Sequence, residues 1–139
     1  MTQPWFFKVY KGKSKNVLCE IIHKIDKEKY SAVKINKFIE KVKSSDTIIS
    51  VCMTKDESNR VPEWEEIAAV SMAVQNMWLS CYVNDIGSYW STPALKDDYA
   101  KHSGLNSNQK SLGFFFMGGY KHIETPKVRE GLDSKVEWV

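Results

Sequence analysis

At 139 residues, with 42% apolar and 27% charged side chains, the chain has the size and composition of one ordinary globular domain. Five Trp and six Phe bring roughly 150–250 Å² of apolar area each, enough to build a core without a metal or disulfide staple. The net charge is only +3, but residues 1–45 carry eleven Lys against four acids while the remainder carries nine Lys or Arg against thirteen acids. A basic half invites a nucleic-acid reading, yet the lysines of KGKSKNVLCEIIHKIDKEKYSAVKINKFIEKVK fall between apolar residues at helical spacing, with acids interspersed. That is the pattern of a solvated helix face, and no nucleic-acid partner is expected.

In chain order, Trp5 to Tyr10 (WFFKVY) reads as a strand closed by Gly12. Val17, Leu18, Ile21, Ile22 and Ile25 recur at the spacing of one helical face, with Ser14 as the expected N-cap. Val33, Ile35, Phe38, Ile39 and Val42 predict a second helix, closed by Ser44-Ser45-Asp46. Thr47 to Met53 (TIISVCM) is a continuous apolar run, typical of a strand covered on both faces and therefore central in a sheet.

Pro62 then opens a helix whose first turn holds Glu63, Glu65 and Glu66, where the helix dipole favours negative charge. It extends to about Val83 and is apolar nearly all round, which predicts burial. Its small residues Ala68, Ala69, Ser71, Ala73 and Ser80 would suit close approach of a second subunit's helix. A Gly-containing turn at Gly87 leads to the aromatic Trp90. Leu95–His102 and Asn108–Leu112 read as short helices separated by Gly104, and Leu112–Met117 (LGFFFM) as a strand before Gly118-Gly119 and an extended polar tail. With no repeat or linker, residues 1–139 are expected to form a single α+β sandwich: a small central sheet flanked by helices, one of them long and buried.

Most catalytic constellations are missing from the sequence. His23, His102 and His122 are isolated, without HExxH or a Cys/His cluster, so no metal site is expected. There is no GxSxG elbow, P-loop or GxGxxG, and Asp97-Asp98 are neighbours on a predicted helix that point apart, as on a solvated face. Cys19, Cys52 and Cys81 are odd in number and widely spaced, which fits a reducing cytoplasm. No apolar stretch reaches about 18 residues and no signal-peptide pattern occurs, so neither a membrane span nor an export signal is expected.

Four short motifs stand in order: Gln3-Pro4-Trp5; Gln75-Asn76 with the downstream Gly87 and Trp90; Gly119-Tyr120; and Pro126-Lys127 with Arg129. In this order the chain resembles the FMN-dependent nitroreductase family from Gln3 to Trp138. The resemblance implies FMN at the interface of a homodimer, NAD(P)H as hydride donor, and a nitroaromatic, quinone or similar small molecule as acceptor. It also implies cofactor contacts from Gln3, from Trp90, Ser91, Thr92 and Pro93, with the Thr92 N–H aimed at the flavin N5, and from Lys127 and Arg129 on the phosphate. The flavin carries the redox chemistry, so no side chain is expected to act as a catalytic acid, base or nucleophile.

Members of the family begin with an RxSxR-like phosphate clamp ahead of QPW. Here Met1 falls at about that point and Arg60 and Arg129 are the only arginines, so the chain reads as N-terminally truncated relative to the family, either a fragment of a longer reading frame or a shortened member. The alternative is a dimeric protein of the same fold that binds flavin weakly or not at all.

Overall fold

Period-two alternation along the strands sorts apolar side chains onto both faces of one sheet, and each face demands its own cover. The computed structural model describes residues 3–26, 28–121 and 129–139. Its elements run β1 (Trp5–Lys11), α1 (Ser14–His23), α2 (Ala32–Ser44), β2 (Thr47–Thr54), α3 (Glu63–Val83), β3 (Gly87–Ser91), α4 (Lys96–His102) and β4 (Gln109–Gly118), before a single 3₁₀ turn at Leu132–Ser134. The strands form one sheet in the order β1-β2-β4-β3, with every neighbouring pair antiparallel.

β2 is interior, as its continuous apolar run predicts. It pairs with β1 from Trp5↔Met53 to Lys11↔Thr47 and with β4 from Thr47↔Met117 to Thr54↔Gln109. Ile48, Phe114, Phe116 and Tyr10 face a core completed by Leu18 and Ile22 of α1, Phe38 and Val42 of α2, and Tyr99 of α4. Val51, Met53 and Phe115 face the opposite core, which Val70, Val74 and Cys81 of α3 complete. The result is the expected α+β sandwich, with one helical layer on each side of the sheet.

Several local expectations are corrected. Ser14 is not an N-cap: its hydroxyl turns back to Lys11, donating to the carbonyl at 2.9 Å and accepting the N–H at 2.8 Å, while α1 is entered from Lys13. Asn108–Leu112 is not a helix, because Gln109 onward is already β4 paired to β2. A register shift opposite Val51/Cys52 leaves Leu112 as the extra residue of a bulge, and this interruption hides the strand's period in the sequence. The reversal after α3 lies at Asp85 (φ +55), not at Gly87, which opens β3. Ile86 N–H bonds to Cys81 O at 2.9 Å and Asp85 N–H to Tyr82 O at 3.2 Å, the pairing of a Schellman stop.

In the single chain, α3 meets its expected burial on one side only. Glu66, Val70, Val74 and Cys81 are buried, whereas Trp64, Met72, Leu79, Tyr82 and Val83 are all more than half exposed. No helix of the described residues is long and apolar enough to cross a membrane.

Candidate functional site

The exit of β3 carries four of the expected site residues, Trp90, Ser91, Thr92 and Pro93. Alternation along this edge strand divides them: Tyr89 stacks on Phe116 on the α1/α2/α4 side, with ring centroids 5.1 Å apart, while Trp90 packs against the core under α3. The Trp90 indole N–H is buried there without an acceptor among the described residues. Ser91, one step further, returns to the Tyr89 side. Gly113 in the β4 bulge makes this approach possible. Its φ is +121, and a Cβ on it would stand 2.4 Å from Ser91 O, 3.0 Å from Trp90 Nε1 and 3.1 Å from Thr92 Cγ2.

After Ser91 the chain leaves the sheet. Thr92 is exposed and its backbone N–H has no acceptor among the described residues. Pro93 O accepts the Lys96 N–H at 3.0 Å, which turns the chain into α4. Ser91 and Pro93 form one wall of a cleft of about 220 Å³, and Lys34, Lys37 and Lys41 of α2 form the other, with Phe38 and Tyr30 beside them. Phe38 also packs edge-on to Phe114, with centroids 4.9 Å apart.

A charged cluster fixes the lip of this cleft. The Tyr30 hydroxyl donates to Asp98 Oδ2 at 2.6 Å and lies 3.1 Å from Ala94 O. Asp98 also accepts from Lys29 at 2.6 Å and Lys101 at 2.8 Å. The Lys101, Lys29 and Tyr30 hydrogen bonds hold its carboxyl well below the usual range, and the Tyr30 hydroxyl is raised in turn by its bond to that carboxylate. Asp98 is therefore not the solvated residue expected from the sequence: it is buried, and only Asp97 is exposed.

Of the expected residues, Ser91 and Pro93 line this cleft, while Trp90, Thr92, Gln3 and Arg129 are not among its described lining. Gln3 is exposed just ahead of β1, on the opposite edge of the sheet from β3. Three strand spacings separate those edges, about 14 Å. Arg129 is exposed, and Lys127 lies outside the described residues together with Pro126 and His122. Gln75 and Asn76 are both exposed on α3. Asn76 borders a second cleft, of about 370 Å³, whose apolar walls include Ile49, Met77, Ile86 and Met117. No group of three or more His, Cys, Asp or Glu able to hold a metal occurs among the described residues.

Sequence reasoning missed Gly113, Tyr30 and the three lysines. Lys34, Lys37 and Lys41 do stand at one-face helical spacing, but only the packing of α2 beside the β3 exit turns that face toward a concavity.

The solved structures that superpose on this α+β sandwich are nitroreductase-fold proteins. The nitroreductase family model matches residues 1–120, and the chain belongs to that family. It is 25% identical over 122 residues to Escherichia coli YdjA, provisionally named an NAD(P)H nitroreductase; the match takes in 84% of this chain and 65% of YdjA. The chain thus spans slightly less than two thirds of that relative. Among solved structures, a nitroreductase-like protein from Bacillus cereus superposes with a TM-score of 0.85 at 22% identity, over 98% of this chain and 73% of that one. A protein from Desulfovibrio desulfuricans, provisionally named a nitroreductase and crystallised with FMN, superposes with a TM-score of 0.67 at 19% identity, over 96% and 71% of the two chains.

Proposed function

We propose that this protein is an FMN-dependent oxidoreductase of nitroreductase type, acting as a homodimer in a reducing cytoplasm. The observation that carries the reading is the exit of β3, where an exposed Thr92 with an unused backbone N–H stands between the two residues, Ser91 and Pro93, that wall a cleft. A backbone donor held by a rigid strand end is suited to a ring-nitrogen acceptor, so these residues fit a flavin edge. When bound, FMN supplies two-electron chemistry between NAD(P)H and a nitroaromatic, quinone or similar acceptor. In this reading Thr92 donates the orienting hydrogen bond, Ser91 and Pro93 border the ring, Trp90 backs them from the α3 side of the sheet, and Lys127 and Arg129 pair with the phosphate.

Three features support the homodimer reading. The cleft holds about 220 Å³, short of the roughly 300 Å³ at the low end of ligand sites, and Gln3 lies on the far edge of the sheet. A second copy would enlarge the cleft and bring its own Gln3 to it, and the exposed apolar side of α3 offers the surface for that contact. The three cysteines are free, Cys52 and Cys81 buried, as a reducing compartment allows. Both helical layers pack on one shared sheet, which supports reading residues 1–139 as one domain.

The test is a visible absorption spectrum of the purified protein, with added FMN and then NAD(P)H without oxygen. A protein-bound flavin band that bleaches with the nicotinamide is the expected result. No bound flavin at high FMN would replace this reading with that of a dimeric family member without flavin chemistry.

A further inference from the structure

We propose that the cleft between α2 and the β3 exit selects small aromatic molecules that carry an anionic group, seating that anion on Lys34 and Lys37. Its binding part does not depend on flavin; its extension to the electron acceptor rests on the function proposed above.

Lys34, Lys37 and Lys41 line the same wall. None of the three makes an ion pair among the described residues. Lys41 is occupied in another way, with Nζ 5.8 Å from the centroid of the Tyr89 ring. Lys34 and Lys37 have no such attachment among the described residues.

Among the described residues no carboxylate lines the cleft to answer this charge. Glu40, on the same helix, is exposed and is not part of the wall. Asp98, the acid that touches Tyr30, is already committed to Lys29, Lys101 and the Tyr30 hydroxyl. The concavity therefore concentrates positive potential on one side, and its opposite side presents the partly exposed Pro93 and the exposed Ala94. A flat ring fits against that apolar side while its acidic group meets two ammonium groups on flexible stems, which follow a carboxylate without demanding a fixed fork geometry. A nucleic-acid strand is a poorer fit, because Tyr30 and Phe38 are buried and offer no open ring for a base to stack on.

The probe pair is 4-nitrobenzoate and its neutral isostere 4-nitrobenzamide, with binding measured by equilibrium dialysis on the full chain, with and without FMN. The benzoate is expected to bind about tenfold more tightly, the gain of two partly exposed ion pairs, and the preference should shrink at high salt. Lys34→Gln with Lys37→Gln should abolish the preference. Lys55→Gln with Lys110→Gln removes the same charge on the α3 side of the sheet, where both lysines act on Glu63, and should retain it.

Equal binding of the two probes, no binding of either at millimolar concentration, or the same preference in the Lys34/Lys37 variant would overturn the proposal. The flavin spectrum of the same preparations reports the proposed function separately. If FMN also binds, the ratio of kcat/KM for benzoate over benzamide should fall about tenfold in the Lys34/Lys37 variant.

Discussion

Gly113 shows how one residue shapes the site from outside it. A methyl group there would overlap Ser91 O at 2.4 Å, and the φ of +121 is itself unfavourable for any side chain. Gly113→Ala is expected to cost about 1–3 kcal/mol and to displace the Ser91–Thr92 backbone. Urea unfolding measures the first effect, and the flavin or nitrobenzoate affinity of the folded variant measures the second; wild-type values for both would remove Gly113 from the site's architecture. Asp98 acts through charge. Its folded pKa is depressed, so its contribution is fully present above the unfolded value of about 3.9 and is lost as the pH falls through the lower folded value. Asp98→Asn should therefore lower stability at neutral pH and flatten the fall in stability below about pH 4. Identical acid limbs in the two proteins would show that the cluster at Tyr30 does not stabilise the fold.

Among the elements, α3 is the one whose sequence and environment disagree in the isolated chain. It is apolar nearly all round, yet its outer side, including Met72, Leu79 and Tyr82, is exposed. In the proposed homodimer that side is covered, and the disagreement disappears. Leu79→Asp places a charge on it and should weaken self-association at least tenfold, since burying an unpaired carboxylate costs far more than losing the contact. Sedimentation velocity at micromolar concentration reads this directly. A wild-type monomer, or a variant that dimerises as tightly as wild type, would take α3 out of the interface. β3 and β4 carry the contrasting lesson. Gly87–Ser91 is too short, and Gln109–Gly118 too interrupted by its bulge, for local pattern to define either fully; β4 is held as a strand by its pairing with β2, and β3 by the partners β4 offers from Gly87↔Gly118 to Ser91↔Phe114.

At the scale of the whole molecule, two cores share one sheet, and neighbouring residues of β4 serve opposite sides. Phe114 meets Phe38 and Tyr99, whereas Phe115 meets Trp78, with centroids 5.9 Å apart, and the α3 layer. Phe114→Ala and Phe115→Ala should each cost about 3–5 kcal/mol in urea unfolding. A near-neutral result for either would mean that its layer is not a packed core. Much of this plan was legible in the chain. The apolar spacing of α1, α2 and α3, the interior character of TIISVCM and the order of the family motifs depend on periodicity and local chemistry, which the sequence carries in full. The site was legible only in part. Ser91, Thr92 and Pro93 could be picked out by resemblance, but Lys34, Lys37 and Tyr30 come to Ser91 and Pro93 across more than fifty residues of chain, and the glycine that lets the strands approach lies further along still. Such proximity comes from the packing of α2 and the bulge of β4, which no local pattern encodes. The sequence by itself determined β1, α1, α2, β2 and α3, their apolar faces and the family; only the tertiary structure decided the extent of β3 and β4 and which charged face borders a cleft, because both depend on what the fold places opposite them.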